Sequence, residues 1–369
     1  MSGPDRGPLA GLRVLEIASL APAPFGCMIL ADLGADVVCV DRRSGEKGTT
    51  EAMPAIDPLQ RGRRTVALDL KSGEGRAAAC SLAERADVFV EGFRPGVIER
   101  LGLGPDDLCG RNPRLIYARM TGWGQTGPLA QLAGHDINYL AASGALDPIG
   151  RASAPPTVPL NLIGDYGGGG LLMVAGILAA LHERAASGRG QVIDVAMADG
   201  SALLTASLHG MIASGMWRPE RGTNLLDSGA PFYDVYETAD RKYVSVGSIE
   251  RRFFAQLISG LGLDADSLPD QYDRPRWPEL RERIATAFKT RDRDGWGRIF
   301  AGTDACVYPV LTPIEASTTG PFAEHFVDVA ACRQPGPAPR FSRTPAATPR
   351  PASGPISAHE VLASWTRSP

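Results

Sequence analysis

The sequence predicts an α/β protein, with a doubly wound, mostly parallel sheet in a large domain and a smaller α+β domain beside it. Three observations carry that reading. Short apolar runs alternate with helical stretches from Leu12 to Met120, the pattern of parallel strands joined by crossover helices. Near Gly229 the texture changes, and residues 232–236 and 243–247 alternate about a turn at Asp240 and Arg241, as an antiparallel hairpin does. The bulk composition, 369 residues with 44% hydrophobic and 21% charged, is that of an ordinary globular enzyme long enough for a large domain and a smaller one.

Taken in order, residues 12–18 (LRVLEIA) read as a buried strand. Pro22 and Pro24 break it, a helix runs over 25–33 to a stop at Gly34, and residues 35–41 (ADVVCVD) form a second strand. Such a βαβ unit with Asp41 at its end suggests a dinucleotide site. The turn, however, reads ASLAPAPFG and not G-x-G-x-x-G, and its prolines remove amide donors a pyrophosphate would need. A strand over 65–70, a helix over 73–86, a strand over 87–91, a helix from Val97 and a strand over 114–120 continue the alternation. Residues 171–186 and 201–217 are apolar helices flanking a short strand at 191–196, and helices follow the hairpin near 252–260 and 277–289. Residues 334–355, rich in Pro, Ser and Arg, are expected to lie extended along the surface.

The net charge of −3 gives no reason to expect nucleic acid or an anionic membrane as partner. The six cysteines are scattered with no C-x-x-C pair, which fits reduced thiols in a cytoplasmic protein. No leader is visible and no apolar run reads as long enough to span a bilayer. Basic residues gather where the strands are expected to end: Arg42 and Arg43, Arg63 and Arg64 with Lys71, then Arg94 and Arg100. Each alone could be scattered surface charge. Together they suggest a phosphate-rich ligand held by point charges and guanidinium forks.

The chemistry concentrates in residues 122–170, which open GWGQTGPLAQLAGHDINYLAASG and close PLNLIGDYGGGG. His135 and Asp165 are two candidate proton carriers, each beside glycines that would let a ligand approach the backbone. Their residue types alone do not decide the matter. A His in a Gly-rich loop is often structural, Asp165 could cap the helix that follows, and Glu250 could be a helix-starting charge.

The stretches GPLAGLRVLEIASLAPAPFGCMILADLGADVVCVDR, EGFRPGVIERLGLGP, ARMTGWGQTGPLAQLAGHDINY, NLIGDYGGGG and GAPFYDVYETADRKYVSVGSIE resemble the class III CoA-transferase superfamily. Within it they are most similar to bacterial α-methylacyl-CoA racemases. The resemblance covers nearly the whole chain. It implies a Rossmann-like large domain built from 1–225 and 325–369, a small domain over 226–324, and an interlocked homodimer. It implies a racemase of 2-methylacyl-CoA thioesters that uses no cofactor or metal and works on its acyl-CoA substrate in lipid metabolism. His135 and Asp165 would then be the two bases, with Glu250 of the other subunit as partner of His135. In the transferase branch the position of Asp136 carries the nucleophile, so Asp136 keeps a transferase reading open. A catalytically silent CoA-binding subunit is a further alternative. For the CoA moiety the likeness extends to Arg42, Leu68, Asp69, Leu70, Lys71, Gly92, Arg94, Arg100 and the loop Gly134, Ile137, Asn138 and Tyr139, with Asp69 expected to shape its loop.

The chemistry agrees with these roles. Inverting a carbon α to a thioester needs one group to remove a proton from one face and another to return one to the opposite face. A neutral His135 can act in either direction, with Glu250 fixing its tautomer. Amides near Asp165 are expected to favour its ionised form or the enolate oxygen, and the Asp136 amide is a further oxyanion donor. The sequence departs from the racemase pattern in three places. The helix SALLTASLHGMIASGMW keeps Met211, Met216 and Trp217 for an acyl pocket but sets Ser207, Leu208 and His209 among them, with His209 read as a rim residue. Residues 317–332 look shortened and residues 43–61 lengthened.

Overall fold

The computed structural model describes residues 7–41 and 56–365. The chain divides into two compact units, Met1–Ser143 with Leu160–Leu204 and Phe322–Pro369, and Gly144–Pro159 with Thr205–Pro321. The boundary expected at residue 225 thus moves, and residues 144–159 and 205–225 join the smaller unit. Polar links explain the grouping. Arg221 donates to the carbonyls of Asp147 at 3.0 Å and Ala154 at 3.1 Å, and Arg151 pairs with Asp234 at 2.7 Å.

The strands are β1 (Arg13–Ile17), β2 (Asp36–Asp41), β3 (Arg63–Ala67), β4 (Val88–Glu91), β5 (Ile116–Thr121), β6 (Val192–Ala196), β7 (Tyr233–Glu237), β8 (Tyr243–Gly247), β9 (Val307–Pro309), β10 (Phe326–Val329), β11 (Cys332–Pro335) and β12 (Ser353–Ile356). In the large unit seven of them form one parallel sheet in the order β12-β3-β2-β1-β4-β5-β6. The direction of winding reverses between β1 and β4, and a crevice beyond the carboxyl ends is the usual ligand position in such sheets. Neighbouring residues of one strand feed opposite cores. Val14, Val37, Val88 and Ile116 pack with Met173 and Ile177 on one face, while Leu15, Val38, Phe89 and Tyr117 pack with Leu82 and Trp365 on the other. Burial on both faces is why these strands read as continuous apolar runs.

Glu16 interrupts that run in the middle of β1, and its side chain is fully buried against Arg63 at 3.1 Å. Burial pushes the Glu16 carboxyl up and Arg63 opposes the rise. Arg64, the next residue, bonds Asp36 at 2.9 Å. Both arginines stand at the amino end of β3 and are spent on internal carboxylates. They do not belong to the cationic set expected at the carboxyl ends.

The helix after β1 spans Pro22–Asp32 and begins at the prolines, where it was expected to follow them. Proline suits a first helical turn, because its missing N–H would have no partner there and its φ is already helical. The apolar helix expected over 201–217 is two helices, Met197–Leu203 and Ala206–Ala213, separated at Thr205 with φ −90° and ψ 5°. The C-terminal stretch is extended as expected but also supplies β12, which pairs with β3. One helix among the described residues, Leu162–Ser187, is long and apolar enough by length and composition to cross a bilayer, contrary to the expectation from sequence. Its length comes from a π-helical segment, Leu162–Leu171, that runs straight into Leu172–Ser187. Its Met173 and Ile177 are fully buried core residues.

In the smaller unit β7, β8 and β9 form an antiparallel sheet. The helices Arg251–Leu261, Trp277–Phe288 and Arg293–Phe300 cover it through Leu257, Ile284, Phe288 and Trp296.

Candidate active site

The candidate site in the large unit is built from the loop after β5 and the π-helical segment. Residues 134–139 enter the helix Asp136–Ser143. The entry is fixed locally: the His135 amide donates to Asn138 Oδ1 at 3.0 Å, and the His135 carbonyl accepts from the Asn138 amide at 2.8 Å. Tyr139 turns inward. Its hydroxyl donates to the Gly134 carbonyl at 2.5 Å, and its ring meets Trp123 edge-on with centroids 4.8 Å apart. Burial, with Asp165 next, pushes the Tyr139 hydroxyl up to about 12, and Arg94 opposes this. These contacts leave His135 exposed on the outside of the loop while Asp136 is buried. The Asp136 amide, first of its helix, has no acceptor among the described residues, as is usual for a first-turn donor.

Asp165 lies within the π-helical segment and not before the helix, as the sequence suggested. Its amide donates to Asp136 Oδ2 at 2.7 Å, and Asn161 Nδ2 donates to its carboxylate at 3.3 Å. The expectation that nearby amides hold it ionised is reversed. Burial raises its pKa first, Asn161 lowers it, the Asp136 charge raises it again and His135 lowers it. Asp136, the residue after His135, links the two candidate carriers through the Asp165 amide. A carboxyl that burial holds above the ordinary Asp range is a candidate for proton transfer.

The glycines also have a different job from the one expected. A Cβ at Gly168 would lie 2.8 Å from the Ser201 amide, one at Gly170 2.7 Å from the Pro22 carbonyl, and one at Gly164 2.6 Å from Asp136 Oδ2. One at Gly134 would meet Tyr139 at 2.7 Å. Protein atoms fill each position, so these glycines let helices and loops close on one another and offer no ligand an approach to the backbone. Gly92 behaves likewise, with Ser19 Oγ 2.8 Å from its would-be Cβ. Three residues of the π-helical segment, Gly164, Gly168 and Gly170, thus press on neighbours through bare backbone.

The cationic set is smaller than predicted. Lys71 follows β3 and Arg94 follows β4, at the carboxyl ends of the sheet, and Arg100 ends the helix Val97–Arg100. All three are exposed, and none has a carboxylate partner among the described residues. Asp69 shapes the loop of Leu68 and Leu70 as expected, accepting from the Lys71 amide at 2.9 Å. Arg42 lies outside the described residues, as does most of the lengthened stretch 43–61. Ile137 and Asn138 are exposed on the first helical turn.

Glu250, Met211, Met216 and Trp217 belong to the smaller unit. Glu250 is the N-cap residue of Arg251–Leu261, yet its carboxylate makes no capping bond. The amides of Met216 and Trp217 both donate to the Met211 carbonyl, at 2.9 and 3.2 Å, so the three share one turn. His209 is exposed. Sequence reasoning missed Asn161, Trp123 and the role of Gly164. Asn161 stands four residues before Asp165, a helical spacing that was its only signal.

A parallel sheet in the order 3-2-1-4-5-6, with its C-terminal strand returned to one edge, thus carries the candidate side chains after β5. The chain belongs to CoA-transferase family III, whose pattern matches residues 9–359. It is 48% identical over 341 residues to the alpha-methylacyl-CoA racemase of Mus musculus, covering 92% of this chain and 87% of that protein. The human alpha-methylacyl-CoA racemase is 46% identical over the same coverage. A crystal structure of a CaiB/BaiF family protein from Brucella suis superposes with a TM-score of 0.81 at 25% identity, covering 98% of this chain and 100% of that one.

Proposed function

We propose that the protein is an isomerase that interconverts (R)- and (S)-2-methylacyl-CoA thioesters by proton transfer through an enolate. One observation carries the assignment of residues. His135 and Asp165 are two groups of different type; Asp136, the residue after His135, accepts the Asp165 amide at 2.7 Å, and His135 is open to solvent. In the reaction one of them takes the α-proton. The C–H electron pair becomes the enolate C=C bond as the carbonyl π pair moves to the thioester oxygen, and both shifts reverse when the other group returns a proton to the opposite face. The free Asp136 amide is suited to the enolate oxygen. No step calls for a cofactor.

The remaining roles belong to the same reading. Lys71, Arg94 and Arg100 hold the CoA phosphates as unpaired cations near the carboxyl ends of the strands. Met211, Met216 and Trp217 line the acyl chain, and adaptable methionines suit a varied one. A homodimer, in which Glu250 of a second subunit pairs with His135, is supported by the apolar surface of the large unit. Leu160, Leu162, Leu171, Leu203 and Leu204 are each more than half exposed, and patches of that kind mark interfaces. Six unpaired cysteines fit a cytoplasmic setting.

A transferase using Asp136 would need that carboxylate to reach the thioester. It is 5% exposed and one oxygen is held by the Asp165 amide, which favours the racemase. Incubating one stereoisomer of a 2-methylacyl-CoA in D2O tests the choice. Deuterium at the α-carbon with loss of configuration is expected. Transfer of CoA to an added free acid without exchange would overturn it. Arg94→Ala should weaken thioester binding about tenfold, more at low salt than at high salt. Isothermal titration across a salt series checks this, and unchanged affinity removes Arg94 from the site.

A further inference from the structure

We infer that the Asp136 carboxylate is a positioning residue for Asp165, fixing the backbone of that base and facing it with a buried negative charge. The inference rests on the racemase reading and deepens it. Asp136 is 5% exposed, and its Oδ2 accepts the Asp165 amide at 2.7 Å. The contact is built in from both sides. Gly164, the residue before Asp165, leaves a gap that the carboxylate fills, since a Cβ there would sit 2.6 Å from Oδ2. Asp136 Oδ1 is buried as well and has no hydrogen-bond partner among the described residues. A nucleophile would be free and exposed, whereas this carboxylate is a strut across two elements.

Its effect on Asp165 is opposed to the hydrogen bond it makes. It anchors the π-helical turn through the amide while its charge disfavours a second carboxylate next door. The elements packed against this turn bring few other charges. The loop brings His135, which favours ionised Asp165, and Asp136–Ser143 brings Tyr139, whose hydroxyl is itself pushed up by Asp165. Asn161, on the residues leading into the turn, donates to Asp165. Pro22–Asp32 brings Asp32, which is paired with Arg61 at 2.6 Å. Met197–Leu203 brings Asp199, which is exposed, Val192–Ala196 brings Asp194, exposed and accepting from the Gln125 amide at 3.0 Å, and Leu172–Ser187 carries His182, Glu183 and Arg184 towards its far end, with Arg184 paired to Asp87. Asp136 is thus the group that holds Asp165 towards its protonated form after burial itself. The consequence is that Asp165 takes up a proton more readily than an ordinary aspartate, which suits one half of a two-base racemase.

The test compares Asp136→Asn and Asp136→Ala in the full chain, reading α-proton exchange from each enantiomer in D2O across pH. Asn keeps an oxygen for the Asp165 amide but loses the charge, whereas Ala loses both. Exchange should fall about tenfold in Asn and about a hundredfold in Ala. In Asn the limb set by Asp165 should move to lower pH: the acid limb when Asp165 is the base, the alkaline limb when it is the acid. A merely structural contact would lower rates without moving either limb, and that result overturns the inference. So does an Asn variant that binds the thioester but exchanges neither enantiomer at any pH, because the carboxylate would then be reacting directly. Should the variants fail to fold, the carbon-13 carboxyl signal lost in Asp165→Asn is titrated in the wild type. A midpoint above the ordinary Asp range supports the inference and one within it overturns it. A wild type that exchanges neither enantiomer overturns the racemase reading itself, which separates the two failures.

Discussion

Replacing His135 with alanine lowers α-proton exchange from one enantiomer by about a thousandfold, the share of a well-placed general base. His135 is exposed, so the fold should be untouched and the loss should sit in kcat. Asp165→Asn gives the matching loss from the other enantiomer. Its stability should move the opposite way. The Asp165 carboxyl has a raised pKa in the folded chain, so the folded state binds that proton more tightly than the unfolded chain does. The cost of ionising it is absent below the unfolded pKa and fully present above the folded one. At neutral pH the Asn variant escapes that cost while its amide oxygen keeps the bond from Asn161. Its melting midpoint should rise by about 2 °C. If both enantiomers exchange at wild-type rates in His135→Ala, the two-base assignment is wrong. A lower midpoint in Asp165→Asn would show that the carboxylate stabilises its turn.

The second large effect belongs to a glycine. A Cβ at Gly200 would lie 1.9 Å from the Gly168 carbonyl oxygen and 2.6 Å from its carbon and Cα. All three are backbone atoms, so no side chain can swing aside. Gly200→Ala must push Met197–Leu203 off the π-helical turn that carries Asp165. The expected cost is about 3 kcal/mol, with the midpoint lowered by about 9 °C. Exchange should collapse with it, because Asp165 moves. Gly210→Ala is the control: nothing lies within 4 Å of its would-be Cβ, and alanine is the better helix former. Thermal melts of the pair decide. Equal midpoints would mean that the helix contact is looser than the distances say.

The parallel sheet was legible because strands buried on both faces announce themselves as apolar runs. The bounds of β8 agree with the expected 243–247, since a two-residue alternation beside a turn leaves little choice of register. Other features were hidden because their causes lie far away in sequence. Arg63 looked like a phosphate ligand, and only the fold reveals that Glu16, on a strand two places across the sheet, consumes it. The GGGG run looked like room for a ligand, and only the neighbouring helices show that the room is taken. The break at Thr205 could not be seen in an apolar stretch with no Gly or Pro beside it. His135 and Asp165 stood out as candidates through chemistry and family likeness, but the carboxylate contact between Asp136 and the Asp165 amide was hidden. It joins residues 29 apart through a backbone amide, and backbone donors carry no signature in the side-chain sequence.

The pairing of β12 with β3 also bears on biosynthesis. During translation the ribosome delivers β3 nearly three hundred residues before its neighbour, so β3 waits as an open edge through most of the chain's synthesis. Open parallel edges invite pairing with other nascent chains. Arg64 at the start of that strand, with its side chain partly exposed, sets a guanidinium beside the waiting edge, which discourages such encounters until the C-terminal strand arrives to close it.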